Sequence, residues 1–127
     1  MKLMIVDDSL IVRNTIERNV RHKEITQIFQ AENGITALQL FYEHSPELVT
    51  MDLTMPHFDG IACLREMQNS GRSASIMVIS AINSHRTAME AVANGACGFL
   101  VKPFTPVELV EAMNDLILHA RENGVRT

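Results

Sequence analysis

An α/β fold, a parallel sheet covered by helices on both faces, is what this sequence predicts, and three observations carry the prediction. Five short apolar runs alternate with five segments of helical period. The runs are apolar almost throughout rather than at every second position, which suits strands buried on both faces. The chain has 127 residues, 46% hydrophobic and 20% charged, the composition of one globular domain able to bury about two-thirds of its unfolded surface without cross-links.

The elements follow in order. Leu3–Val6 is an apolar strand cut off by Asp7-Asp8, and helix Leu10–Val20 follows with Asp8 or Ser9 placed to cap it. Ile25–Phe29 is the second strand, after which Asn33-Gly34 turns the chain into a helix over Ala37–Phe41. The third strand, Leu48–Met51, ends at Asp52; Asp59 then caps a helix over Ile61–Met67 that Gly71 closes. Ile76–Ile79 runs into Ser80-Ala81, and Ser84 or Asn83 caps a helix over Ala88–Ala93 that stops at Asn94-Gly95. Phe99–Val101 ends at Lys102-Pro103. Thr105-Pro106-Val107-Glu108, with Pro at N1 and Glu at N3, then makes a capping box for the last helix, Leu109–Leu118. Asn123-Gly124 fits a final stop, which sets a domain over 1–122 and a short tail over 123–127.

Several function classes drop out on composition. Lys plus Arg is 11 against 15 Asp plus Glu, a net charge of −4, and the cations are scattered, so the electrostatic footprint of a nucleic-acid or anionic-membrane binder is absent. The first apolar run is too short for a signal-peptide core or a membrane span. Cys63 and Cys97 lack C-x-x-C spacing and sit in apolar contexts, which reads as two buried thiols in a reducing compartment, the cytoplasm. His22, His44, His57, His85 and His119 show no ligand spacing and are expected to face solvent, and the eight methionines read mostly as core fillers.

In an open parallel sheet the carboxyl ends of the strands converge on one crevice. Those ends carry Asp7-Asp8, Asp52, Ser80 and Lys102: three carboxylates, a hydroxyl and an ammonium. Carboxylates 4–5 Å apart repel by about a few kcal/mol each at an effective dielectric near 20, and one lysine does not offset three. A divalent cation does, and an all-oxygen donor set without His or Cys favours Mg²⁺ or Mn²⁺ over Zn²⁺.

Four segments, MIVDDS, MDLTMP, VISA and GACGFLVKPF, in this order and spacing, resemble the receiver domains of two-component response regulators, over essentially the whole chain. The resemblance implies a flavodoxin-like (CheY-like), doubly wound five-stranded sheet of order 2-1-3-4-5 with five helices. It implies that Asp52 accepts a phosphoryl group from the phosphohistidine of a sensor histidine kinase or a histidine phosphotransfer protein. By the same likeness Asp8, Asp52 and the backbone carbonyl of Thr54 hold Mg²⁺, Asp7 acts through a metal-bound water, Lys102 pairs with the phosphoryl oxygens and Ser80 donates to one of them. Ser80 and Phe99 are the implied switch pair: Ser80 moves toward the phosphoryl group, the loop Ala81–Ser84 shifts, and Phe99 turns inward. Many members carry Tyr at that place; Phe lacks the hydroxyl for an outward hydrogen bond, so a stronger inward bias is expected. Lys102-Pro103 resembles the family's cis peptide. Thr54 and Ile82 stand where the family tunes the hydrolytic water, and Ile82 has no polar group to orient it.

Such a domain is a phosphoacceptor that catalyses only its own phosphorylation and dephosphorylation. Its implied output face comprises the fourth helix, fifth strand and fifth helix, about Ser84–Asn94, Gly98–Val101 and Thr105–His119, and it docks a downstream protein such as a flagellar-motor or phosphotransfer component. A free-standing single-domain regulator is expected, with a phosphorylation-dependent dimer within the family's range. The alternatives are a receiver domain of a longer regulator with a separate output domain, or a pseudo-receiver that binds without taking phosphate. A haloacid-dehalogenase-type phosphohydrolase is disfavoured, because its nucleophile ends the first strand with a second Asp two positions later, whereas Asp7 and Asp8 are adjacent. A flavin electron carrier is disfavoured by Asp7-Asp8 where a phosphate loop is needed, by the absence of Trp, and by a lone Tyr42 on a helix.

Overall fold

The computed structural model describes residues 1–56 and 59–126, of which 124–126 are given as helical backbone. The elements are β1 (Lys2–Val6), α1 (Leu10–Asn19), β2 (Gln27–Ala31), α2 (Gly34–His44), β3 (Leu48–Asp52), α3 (Gly60–Asn69), β4 (Ser75–Ser80), α4 (His85–Ala93), β5 (Gly98–Val101) and α5 (Pro106–Arg126). All strand pairs are parallel, in the order β2-β1-β3-β4-β5. The expected fold class and strand order both hold. From β1 the chain steps one way to β2 and then returns past β1 to β3, so the winding reverses between β1 and β3 and opens a crevice at their carboxyl ends.

The two-residue period of the strands divides the core into two layers. Met4 and Val6 of β1, Val49 and Met51 of β3, and Ile76 and Val78 of β4 pack under α2, α3 and α4 against Phe41, Leu64, Met67 and Ala91. Leu3, Ile5, Leu48, Met77 and Ile79 face the other way, under α1 and α5, against Ile16, Leu109, Met113, Leu116 and Ile117. Every residue of β3 and β4 is buried, which is why these runs show no polar alternation.

The caps resolve both choices the sequence left open, and they add Asn33, which the sequence presents as a turn residue. Ser9 caps α1, accepting from the Val12 N–H at 3.3 Å, and Ser84 caps α4, accepting from the Thr87 N–H. Asn33 and Asp59 cap α2 and α3 at 2.8 and 3.0 Å. At α5 the Thr105 hydroxyl accepts from the Glu108 N–H at 3.1 Å while the Glu108 carboxylate accepts from the Thr105 N–H at 2.9 Å. Gly95 closes α4 at φ +106°, where a Cβ would also stand 2.4 Å from Cγ of Gln68.

Four expectations need correction. The second strand lies two residues later than Ile25–Phe29, because the register with β1 pairs Lys2 with Gln27 and Val6 with Ala31. Ile25 sits instead in the turn before it, donating its N–H to the His22 carbonyl. Gly124 does not stop the last helix, and α5 continues to Arg126, so residues 123–126 of the expected tail are helical. One glycine near a helix end costs only about 1 kcal/mol, which this long helix tolerates. Cys97 is exposed, since it precedes the edge strand β5, and only Cys63 is buried. Of the histidines, His22 and His44 are half-buried, His44 stacked on Phe29 at 4.1 Å, whereas His85 and His119 are exposed. His57 and Thr127 lie outside the described residues.

Burial, then the nearby Glu66 and Asp59 charges, push the Cys63 thiol up to about 12. Burial raises the Cys97 thiol as well, but Cys97 is exposed whereas Cys63 is buried, so a thiol reagent should label Cys97 first in the native protein and reach Cys63 only on unfolding, and Cys97→Ser should abolish the early phase. Phe41, fully buried under the sheet, should cost about 3–5 kcal/mol on Phe41→Ala in urea unfolding, while Ile35→Ala at a 75% exposed site should change stability by less than about 0.5 kcal/mol.

Candidate functional site

The register Val6↔Met51 carries the chain straight into the site: the next residues on the two strands are Asp7 and Asp52, side by side at the carboxyl edge. Both are 1% exposed, whereas Asp8, one residue farther on, is exposed. Carboxylate oxygens of Asp7, Asp8 and Asp52 all lie within 4.8 Å of one another.

Lys102 reaches this cluster from two strands away. Its backbone N–H extends the β4–β5 ladder by donating to the Ser80 carbonyl at 2.8 Å, and the following Lys102-Pro103 peptide is cis. The ammonium then lies 2.8 Å from Asp7 Oδ2 and 3.1 Å from Asp52 Oδ2, so one cation serves two carboxylates. The remaining oxygens are held by neighbours. Asp7 Oδ1 accepts from the Ser9 N–H at 2.9 Å, and the Asp7 carbonyl accepts from the Arg13 guanidinium at 2.6 Å. Asp52 Oδ1 accepts from both the Thr54 N–H at 2.8 Å and the Thr54 hydroxyl at 2.6 Å.

Burial raises the Asp7 carboxyl above its ordinary value, and the neighbouring Asp52 charge adds to this against the opposing pull of Lys102 and the Ser9 N–H. Burial works to lower Lys102, but its hydrogen bonds to Asp7 and Asp52 outweigh that and leave it raised. Three carboxylates, two of them buried, against one ammonium leave an excess of negative charge. The donor chemistry fits a hard divalent cation: all the converging atoms are oxygens, and no His or Cys belongs to the cluster among the described residues.

Ser80 is fully buried at the end of β4, and its Oγ accepts from the Ile82 N–H at 3.0 Å, which leaves the hydroxyl proton free to donate. With Thr54, Asp59, Ile82 and Thr87 it lines a cleft of about 560 Å³ between the starts of α3 and α4. Ile82 itself is 52% exposed and presents only carbon to that cleft. Phe99 stands apart from this group on the edge strand β5; it pairs with Val78, is half-buried, and packs on the same core layer that runs up β4 to Ser80. The structure thus brings together Asp7, Asp8, Asp52, Thr54 and Lys102, sets Ser80 in the adjoining cleft and leaves Phe99 two pairs farther down the β4–β5 ladder. Ser9 and Arg13, which hold Asp7, and the hydroxyl of Thr54 are contacts that sequence reasoning missed; the cap position of Ser9 was the only signal for any of them.

The chain matches the response regulator receiver domain model over residues 3–114. It is 38% identical over 113 residues to the chemotaxis protein CheY of Bacillus subtilis strain 168, covering 89% of this chain and 94% of that one. CheY of Thermotoga maritima is 35% identical over the same shares of each chain. Among solved structures, the CheX-CheY-BeF3-Mg+2 complex from Borrelia burgdorferi contains a chain that superposes with TM-score 0.84 at 26% identity, covering 92% of this chain and 89% of that one.

A carboxyl raised in the folded state penalises folding while it is ionised; the penalty is complete above its folded pKa and is relieved as pH falls from there toward the unfolded value of 3.8. Asp7→Asn should therefore raise the stability of the metal-free protein at neutral pH, and the gain should shrink on acidification. Urea unfolding in chelator at about pH 7 and about pH 4 reads both effects, and a variant less stable than wild type at neutral pH would contradict the assignment.

Proposed function

This chain belongs to the response regulator receiver domain family, whose members are signalling domains, and from that premise we propose that it takes a phosphoryl group from a phosphohistidine onto Asp52 and signals by the resulting change of shape. The observation that carries this reading is the placement of Lys102 between Asp7 and Asp52 with Asp8 beside them. An Asp52 carboxylate oxygen attacks phosphorus, the O–P bond forms as the N–P bond breaks, and the donor's imidazole leaves. Asp52 is the carboxylate best held for attack, since the Thr54 N–H and hydroxyl fix Oδ1 and aim Oδ2 along the edge.

Asp7, Asp8, Asp52 and the Thr54 carbonyl are the residues that would hold Mg²⁺, or Mn²⁺ in its place, and the ion would neutralise charge on the transferring oxygens. The Lys102 ammonium, raised and already within reach of Asp52, supplies a second positive charge to the same oxygens. The free proton of Ser80 is the donor for a further one. When it turns to the phosphoryl group, the Ile82 N–H loses its acceptor and the loop from Ala81 to Ser84 is released. Phe99, packed on the layer beneath Ser80, fills the space on that side.

The donor is a sensor histidine kinase or histidine phosphotransfer protein, and the receiving partner docks on α4, β5 and α5. Exposed Met89 and Val92 on α4 and Val107 on α5 give that face apolar anchors. The setting is cytoplasmic, and the domain acts either alone or as the receiver of a longer regulator.

Incubation with Mg²⁺ and acetyl phosphate should add one phosphoryl group by intact mass, absent without Mg²⁺ and absent in Asp52→Ala. No adduct from acetyl phosphate or from a kinase would leave a binding module in place of a phosphoacceptor. Ile82→Glu should change the rate at which the label is lost, because it places a polar group in a cleft wall that has only carbon at that position; an unchanged rate would remove Ile82 from the account.

A further inference from the structure

Thr50 lies in the middle of β3, two residues before Asp52 and on the same face of the strand. It is 0% exposed, and its Oγ1 has no hydrogen-bond partner among the described residues. Its cross-strand partners are Ile5 and Met77, both members of the core layer under α1 and α5. A valine there would fill the same volume without an orphaned hydroxyl, and an unsatisfied buried hydroxyl is costly. The row above Thr50 is the site itself, Asp7 and Asp52 with Lys102 across them.

The carboxylates in that row have capacity left. Asp7 Oδ1 accepts one hydrogen bond and Asp7 Oδ2 and Asp52 Oδ2 one each from Lys102, so each of these oxygens retains a lone pair. We propose that Thr50 is a positioning residue for Asp52, linked to the Asp7–Asp52 pair through one buried water that its hydroxyl anchors from below. Such a water has the two or more polar partners that an internal water needs. It ties the orientation of both carboxylates to the buried centre of the sheet rather than to the loops that line the cleft. The inference rests on Asp52 as phosphoacceptor.

The test compares wild type with Thr50→Val and Thr50→Ser in Mg²⁺ and acetyl phosphate, reading the rate of Asp52 labelling and thermal stability in parallel. A linked hydroxyl predicts labelling about tenfold slower in Thr50→Val, the worth of about one hydrogen bond, with Thr50→Ser restored to near the wild-type rate and Thr50→Val no more stable than wild type. An orphaned hydroxyl predicts the opposite: Thr50→Val more stable and labelled at the wild-type rate, which overturns the proposal. Equal slowing in Thr50→Val and Thr50→Ser overturns it as well, since packing rather than the hydroxyl would then be responsible. Failure of the wild type to label overturns the phosphoacceptor reading, and this inference with it, whereas a labelled wild type isolates the result to Thr50.

Discussion

One ammonium shared by two buried carboxylates is the interaction on which the rest of this molecule turns. The winding reversal between β1 and β3 sets Asp7 against Asp52, and the two are 1% exposed, so their charges meet little solvent. Lys102 compensates part of that cost from the far side of β4, at 2.8 and 3.1 Å. Asp8 adds a third carboxylate within 4.8 Å, which Lys102 does not match. A buried ion group with unbalanced charge is unfavourable to the fold and is tolerated where function uses it. The stability for it comes from the two apolar layers, in which β3 and β4 are buried at every residue.

The same sheet sets the acidic cluster and Ser80 on opposite faces. Asp7, Asp52 and Lys102 gather at the edge over the α1 and α5 layer, whereas Ser80 continues the row of Ile76 and Val78 in the layer under α3 and α4. Phe99 joins that second layer through its pairing with Val78. Under the proposed phosphorylation, a charge placed on Asp52 would act across the thickness of a strand, and Ser80 is the buried polar side chain at the end of the neighbouring strand β4. The one hydrogen bond seen on Ser80, from the Ile82 N–H, makes the β4–α4 loop the first element that any movement of Ser80 would disturb.

Most of this was legible in the sequence for a physical reason: central strands of a parallel sheet are nearly all apolar, so polar and charged residues at their carboxyl ends mark the edge where a site can form. Asp7, Asp52 and Ser80 announce themselves in this way, and Lys102 does so one strand over. Caps were nearly as legible, because Asp59, Ser84 and Thr105 are side chains that satisfy open N–H groups, although Asn33 read as a turn residue and Asn83 competed with Ser84. What stayed hidden follows from edges and from tertiary packing. β2 is an edge strand with Gln27 and Gln30 in it, so the apolar run at Ile25 misplaced it by two residues. The left-handed residue that ends α2 is Ser45, at φ 48°, where no glycine signals a stop. Gly124 offered a stop that α5 runs through to Arg126. The double use of Lys102 and the unpartnered hydroxyl of Thr50 depend on distances between strands, which no spacing along the chain reveals, whereas the grip of Thr54 on Asp52 is a local contact two residues along the chain.

The central claim is that the carboxyl edge of the sheet carries a charge imbalance that a divalent cation corrects. The most direct test is thermal unfolding of the wild type and of Asp8→Asn across a Mg²⁺ titration at constant ionic strength. The account predicts saturable stabilisation of the wild type, reaching about 2.7 kcal/mol at a hundred times the dissociation constant, and a much weaker response in Asp8→Asn. Mg²⁺ that leaves the wild type unmoved, or that stabilises both proteins alike, would contradict it.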